Sequence, residues 1–166
     1  DRDLSTDSLG GVASLLSYRG LLYIGTTAPA ATFAKVLERS ATGTYTTADT
    51  GTGGTAAANN GYLAMAEFSS NLYVSYWNPD TTNISRVRKY TGSAWSTAYT
   101  GAGSTLRPFI GFPIDASILC AFGGAAGVTA ALVSTPDGTT WTNRTANLPQ
   151  SPPNSTGVPA FGAIVI

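Results

Sequence analysis

The chain has 166 residues, enough to bury a core, and its nine Lys and Arg balance nine Asp and Glu, with charged residues at only 11% against the ~25% of ordinary globular proteins. So sparse and balanced a charge excludes the basic footprint of a nucleic-acid binder, and 43% apolar residues with no net charge exclude the disordered class. The absence of His and the single cysteine, Cys120, remove the commonest general base and metal ligand, an internal disulfide and a thiolate cluster.

In chain order, short β-branched and aromatic runs are punctuated by Gly, Pro, Asn and Ser, the pattern of consecutive antiparallel strands. The first group reads as strands at 12–18, 21–25 and 33–40, with a fourth opening at Tyr45. A Gly-, Ala- and Asn-rich linker at 49–60 follows. The second group is the clearest: strands at 61–70, 71–77, 83–90 and 94–99, with turns at 69–71, 78–80 and 91–93. The third group has strands at 108–114, 117–121 and 128–135, with Trp141 in the fourth. After a Pro- and Ser-rich linker at 150–157, one further strand at 158–166 repeats the start of a group.

These groups superimpose. Tyr23 and Tyr73 lie fifty residues apart and Leu72 and Ile118 forty-six, and the aromatics Tyr45, Trp95 and Trp141 keep the same spacing. Gly43, Gly92 and Gly138 precede those aromatics in all three groups. Four strands per repeat at a period in the high forties predict an all-β fold, a β-propeller of about three four-stranded blades plus the inner strand of a fourth. The whole chain, 1–166, reads as one propeller segment with blades at about 8–48, 60–100 and 106–146 and a partial blade at 157–166. Stacked blades bury both faces of their central strands, so Leu22, Leu72, Ile118 and Cys120 are expected in the core, and Trp95 and Trp141 are expected largely buried against the third strands of their blades. Propellers close with about four to eight blades. The segment is therefore expected to be completed by the remainder of a longer chain or by other protein subunits.

The stretch Ser134-Thr-Pro-Asp-Gly-Thr-Thr-Trp141 resembles the Asp-box of sialidase-like propellers, Ser-x-Asp-x-Gly-x-Thr-Trp. Ser134, Gly138, Thr140 and Trp141 fall on the pattern, while Pro136 takes its third position and the carboxylate comes one place later, at Asp137. The resemblance implies a structural turn between a blade's third and fourth strands, with the Trp packed into the blade. It covers one turn of one blade. Pro-Asp-Gly is itself a strong turn sequence.

Catalytic sialidases, by the same resemblance, gather an arginine triad, a Tyr with a neighbouring Glu, and an acid around the central axis. Here only Arg107 opens an inner strand, and Glu67 is the inner-strand acid, with Asp115 at the opposite end of the next. A glycosidase pair needs carboxylates about 5–9.5 Å apart, and no such pair is legible. No metal-ligand spacing occurs, no phosphate loop follows the glycines at 51–54, and no cofactor is implied. Without a run of 18 apolar residues no membrane insertion is expected. Trp77, Asn78 and Asp80, at one blade edge, and Arg107 are the candidate binding residues, an aromatic beside polar neighbours being the form of sugar-stacking and protein-anchor sites. The expectation is a non-enzymatic structural or adhesion module of an extracellular or virion assembly, of phage tail or spike type. The alternatives are a glycan-binding, lectin-like propeller and part of a sialidase-like glycoside hydrolase.

Overall fold

A computed structural model describes residues 8–52, 55–79, 84–101, 109–111, 117–125 and 128–144. These residues form strands and turns, with no helix among them. The first four strands are β1 (Gly11–Tyr18), β2 (Leu21–Ala28), β3 (Lys35–Arg39) and β4 (Tyr45–Thr50). The next four are β5 (Asn60–Phe68), β6 (Asn71–Asn78), β7 (Ile84–Tyr90) and β8 (Trp95–Thr100). The last are β9 (Phe109–Gly111), β10 (Leu119–Ala125), β11 (Val128–Thr135) and β12 (Thr142–Asn143). Each group of four is an antiparallel meander paired in sequence order. The first two meanders join into one eight-stranded sheet where Thr27 and Ala28 of β2 pair with Gly61 and Asn60 of β5. That sheet curls strongly, as a half-barrel.

Local chemistry sets the turns. The β1–β2 hairpin closes on Arg19 and Gly20 (φ 51° and 77°), and the β5–β6 hairpin on Ser69 and Ser70 (φ 47° and 58°). Two successive left-handed residues match the twist of the flanking strands. The β3–β4, β7–β8 and β11–β12 turns each carry a left-handed glycine: Gly43, Gly92 and Gly138. Irregularities repeat as well. β1 bulges between Val12 and Ser14, and β5 between Tyr62 and Ala64. The third strands bulge against the fourth after Val36 and after Val87. A bulge re-aims the strand and increases its twist, so bulges at matched places give the first two meanders the same shape.

The middle meander packs through both faces. On β6, Leu72, Val74 and Tyr76 join a core cluster with Tyr18, Tyr23, Ile24, Val36 and Leu37 of the first meander. Between them, Tyr73 joins Ala66, Phe68 and Val87 in a second cluster with Leu119, Ala121 and Val133 of the third. That alternation is why β6 is a continuous buried run rather than half polar.

Several expectations need adjustment. Leu72 and Cys120 are buried, but Leu22 and Ile118 are half-exposed. Trp95 and Trp141 are half-buried rather than largely buried, because the fourth strands lie at the sheet edges. Trp95 does stack on Tyr90 of the third strand, centroids 4.9 Å apart; Trp141 instead packs across the meander boundary on Tyr99 (5.5 Å). The linker expected at 49–60 begins only at Gly51, since Asp49 and Thr50 belong to β4. The first strand of the third meander is described only as Phe109–Gly111. The expected strand at 158–166 lies outside the described residues.

Candidate functional site

The densest polar constellation lies between the first two meanders. The bulge in β4 re-aims Asp49 across the gap, where its Oδ1 accepts from Arg88 Nη2 at 2.8 Å and its Oδ2 from Arg88 Nε at 2.9 Å. Tyr62 of β5 donates its hydroxyl to the same Oδ2 at 2.7 Å. The side chains of Arg88 and Asp49 are only 16% and 9% exposed. A bidentate guanidinium–carboxylate pair is geometrically specific, and here it locks the outer strand of one meander to the third strand of the next. Burial, and then the Asp49 charge, push the Tyr62 hydroxyl well above the ordinary tyrosine range. The Asp49 bond holds the Arg88 guanidinium more firmly protonated.

Other ties surround it. Ser14 Oγ donates to the Tyr62 carbonyl at 2.9 Å, and the Tyr18 hydroxyl to the Ser70 carbonyl at 2.8 Å. The Tyr23 hydroxyl donates to Glu38 Oε2 at 2.7 Å; burial first, and that bond second, raise its pKa. Gly25 faces the Tyr62 backbone so closely that a Cβ there would stand 2.5 Å from the Tyr62 carbonyl oxygen.

Asn78, an expected binding residue, does not present its amide to a ligand. It is fully buried, its Oδ1 accepts from the Ala57 amide at 3.0 Å, and its Nδ2 donates to the Thr55 carbonyl at 3.0 Å. It pins the linker between meanders. Asn60 does the same from β5, accepting from the Ala34 amide and donating to the Thr32 and Ala57 carbonyls. Trp77, its neighbour in β6, is half-buried, and its indole nitrogen is shielded without a hydrogen-bond partner among the described residues. Asp80 and Arg107 lie outside the described residues. The sequence thus set Trp77 beside Asn78, but the structure gives the two side chains different surroundings. Glu67 is exposed at the end of β5.

The turn from β11 to β12 is built around a carboxylate. Asp137 Oδ1 accepts from the amides of Thr140 at 2.7 Å and Thr139 at 2.8 Å, and from the Thr135 hydroxyl at 2.9 Å. The Gly138 amide donates to Thr135 Oγ1 at 2.9 Å. Those bonds hold the Asp137 carboxyl well below the usual carboxylate range, since amides that point at the ionised form favour it. The hydroxyl in this turn belongs to Thr135, which the motif reading passed over. Ser134 is buried, and its Oγ accepts from Arg144 Nε at 3.3 Å. Thr140 is exposed and supplies only its backbone amide, and Gly138 sits directly under the Tyr73 hydroxyl of the middle meander.

Sequence reasoning missed Asp49, Tyr62 and Arg88. One signal was present: Arg88 sits in β7 at the place that Leu37 holds in β3, an exchange of an apolar residue for a charged one at a matched position of the repeat. No group of three His, Cys, Asp or Glu that could hold a metal occurs among the described residues, and no described helix is long and apolar enough to cross a membrane.

Comparison with known proteins adds no relative: no protein-family model matches the chain, and no curated protein matches it significantly.

Proposed function

We infer that the three meanders are successive blades of a β-propeller segment, acting as a non-enzymatic structural or adhesion module within a larger extracellular or virion assembly of phage tail or spike type. The observation that carries this reading is the double-faced packing of the middle meander, with alternate residues of β6 committed to opposite neighbours. A blade within a ring needs that arrangement, whereas a two-layer sandwich leaves an outer face in water. The polar groups argue for a structural role. Arg88 and Asp49 hold each other, Arg86 Nη1 reaches the Thr52 carbonyl at 2.7 Å, and Asp137 is committed to its own turn. Side chains spent on joining meanders are not poised to act on a substrate. The partners are other protein subunits or the remainder of a longer chain.

Electron microscopy of the purified polypeptide, alone and within its parent assembly, tests the reading. Wedge-shaped blades around a central axis are expected, and an open sandwich or a closed barrel would overturn the propeller. Turnover of a panel of chromogenic glycosides, lost on substitution of Glu67, would overturn the non-enzymatic part.

A further inference from the structure

The two exposed large apolar side chains among the described residues, Val12 at 53% and Leu15 at 58%, both lie on β1. The bulge after Val12 places them on one face. Ser14, Leu16 and Tyr18 point the other way, into the second meander, while Ala13, Leu15 and Ser17 are exposed. We propose that this outer face of β1 docks a second copy of this chain, face to face about a two-fold axis.

The repeat shows what such a face requires. Strand pairing puts Tyr62 where the first meander has Val12, and Met65 where it has Leu15. In the second meander those positions are covered: Tyr62 is fully buried, and Met65 packs on the cluster shared with the first meander. The same face of the first meander has no described neighbour over β1. Its partner also needs different chemistry. Arg88 takes the carboxylate of the meander covering it, whereas Leu37 stands at the matched position in the first meander. The missing cover is therefore apolar and needs no acid.

The source of the cover follows from length and charge. One meander takes forty-six to fifty residues of this repeat, yet only twenty-two residues follow Arg144 and seven precede Ser8. Neither end of this sequence supplies a second meander. A second copy does, and with formal net charge +0 two copies approach without overall repulsion. β1, Gly-Val-Ala-Ser-Leu-Leu-Ser-Tyr, holds no charged residue and no proline, the devices by which exposed strands ordinarily resist association. A two-fold contact brings the same patch to itself, the commonest form of self-association, and an uncharged Val/Leu patch is self-complementary.

The inference rests on the reading of the chain as a module completed by other polypeptide, and it names that polypeptide and the face. Light scattering on the wild-type protein should give twice the 17.0 kDa chain mass. Leu15→Glu and Val12→Lys, both at exposed positions, should each weaken association at least about tenfold while leaving the circular dichroism spectrum and thermal midpoint unchanged. Leu15→Cys should form a disulfide-linked dimer under mild oxidation. Wild-type protein should not, because its one thiol, Cys120, is buried. A monomeric wild type overturns the proposal, as does association indifferent to both charged variants. Failure of Leu15→Cys to cross-link to itself overturns the two-fold arrangement and the proposal with it. None of these outcomes bears on whether the meanders stack as blades, which the microscopy reads separately.

Discussion

Substituting Asp49→Ala removes the acceptor shared by Arg88 and Tyr62 and leaves a guanidinium that is 16% exposed facing a gap. Breaking a buried pair from one side costs about 3–5 kcal/mol, because the surviving charge stays desolvated. Arg88 retains one bond, from Nη1 to Thr97 Oγ1 at 2.9 Å, and part of its head meets water, so the lower end applies, about 3 kcal/mol. With a urea slope near 2 kcal/mol per molar, the unfolding midpoint should fall by about 1.5 M. The double variant Asp49→Ala/Arg88→Leu separates a lost charge pair from lost packing. It places an apolar side chain where the first meander already has Leu37, and replacing a whole buried pair with apolar groups is often neutral. The double variant should regain at least half of the lost stability. A single-variant shift below about 0.3 M at that slope, roughly 0.6 kcal/mol, or a double variant no better than the single, would refute the assignment of Asp49 as the lock between meanders.

Stability should also fall in alkali. Tyr62, Tyr23, Tyr18, Tyr73 and Tyr99 all have raised pKa values, with burial as the largest cause in each. The unfolded chain releases these protons near pH 10 while the folded chain keeps them, so the stabilisation is complete below about pH 10 and is lost as pH rises beyond it. Urea midpoints measured from pH 8 to 11 should drop steeply over the last unit; a flat profile would contradict burial of these hydroxyls. Asp137 carries the opposite sign: its carboxyl is held low, so its contribution is present above about pH 4 and disappears as the pH falls below it. Asp137→Ala should accelerate amide exchange at Thr139 and Thr140, and unchanged exchange would detach the carboxylate from the turn. Gly25→Ala should cost about 1–3 kcal/mol by overpacking, because the new Cβ would press on the Tyr62 backbone rather than on a flexible side-chain tip; a neutral result by thermal melting would show that the meanders are less closely apposed.

The meanders were legible because their signals are local. Left-handed turn positions select Gly and small polar residues, so Gly20, Gly43, Gly92 and Gly138 mark hairpins directly in the sequence, and the buried run of β6 needs no partner to be recognised. The ties between meanders were not legible. Asp49 sits beside a Gly- and Ala-rich stretch and reads as the start of a linker; only the β4 bulge, set by pairing with β3, turns it toward Arg88. Asn78 beside Trp77 reads as a surface polar residue, and its role depends on a linker carbonyl twenty-three residues earlier. The Asp-box reading found the right turn with the wrong hydroxyl, since composition cannot say which of Ser134 and Thr135 points into it.

That division between local and distant signals also explains why residue types at the contacts vary while the architecture repeats. Pairing and turn geometry fix the position of each strand, so a contact position needs only to match the meander facing it. Tyr62 answers Asp49 and Gly25; Val12, at the same place one repeat earlier, faces no described meander and carries no polar group to be satisfied. Contact chemistry therefore records the neighbour. Arg88 records a carboxylate across the gap, and Leu37, at the matched position, records an apolar one. Exchanging these two side chains should destabilise both places at once. An arginine at position 37 would be buried with no carboxylate facing it among the described residues, while a leucine at 88 would strand Asp49. A double exchange that folded with wild-type stability would mean that the contacts do not depend on which meander lies opposite.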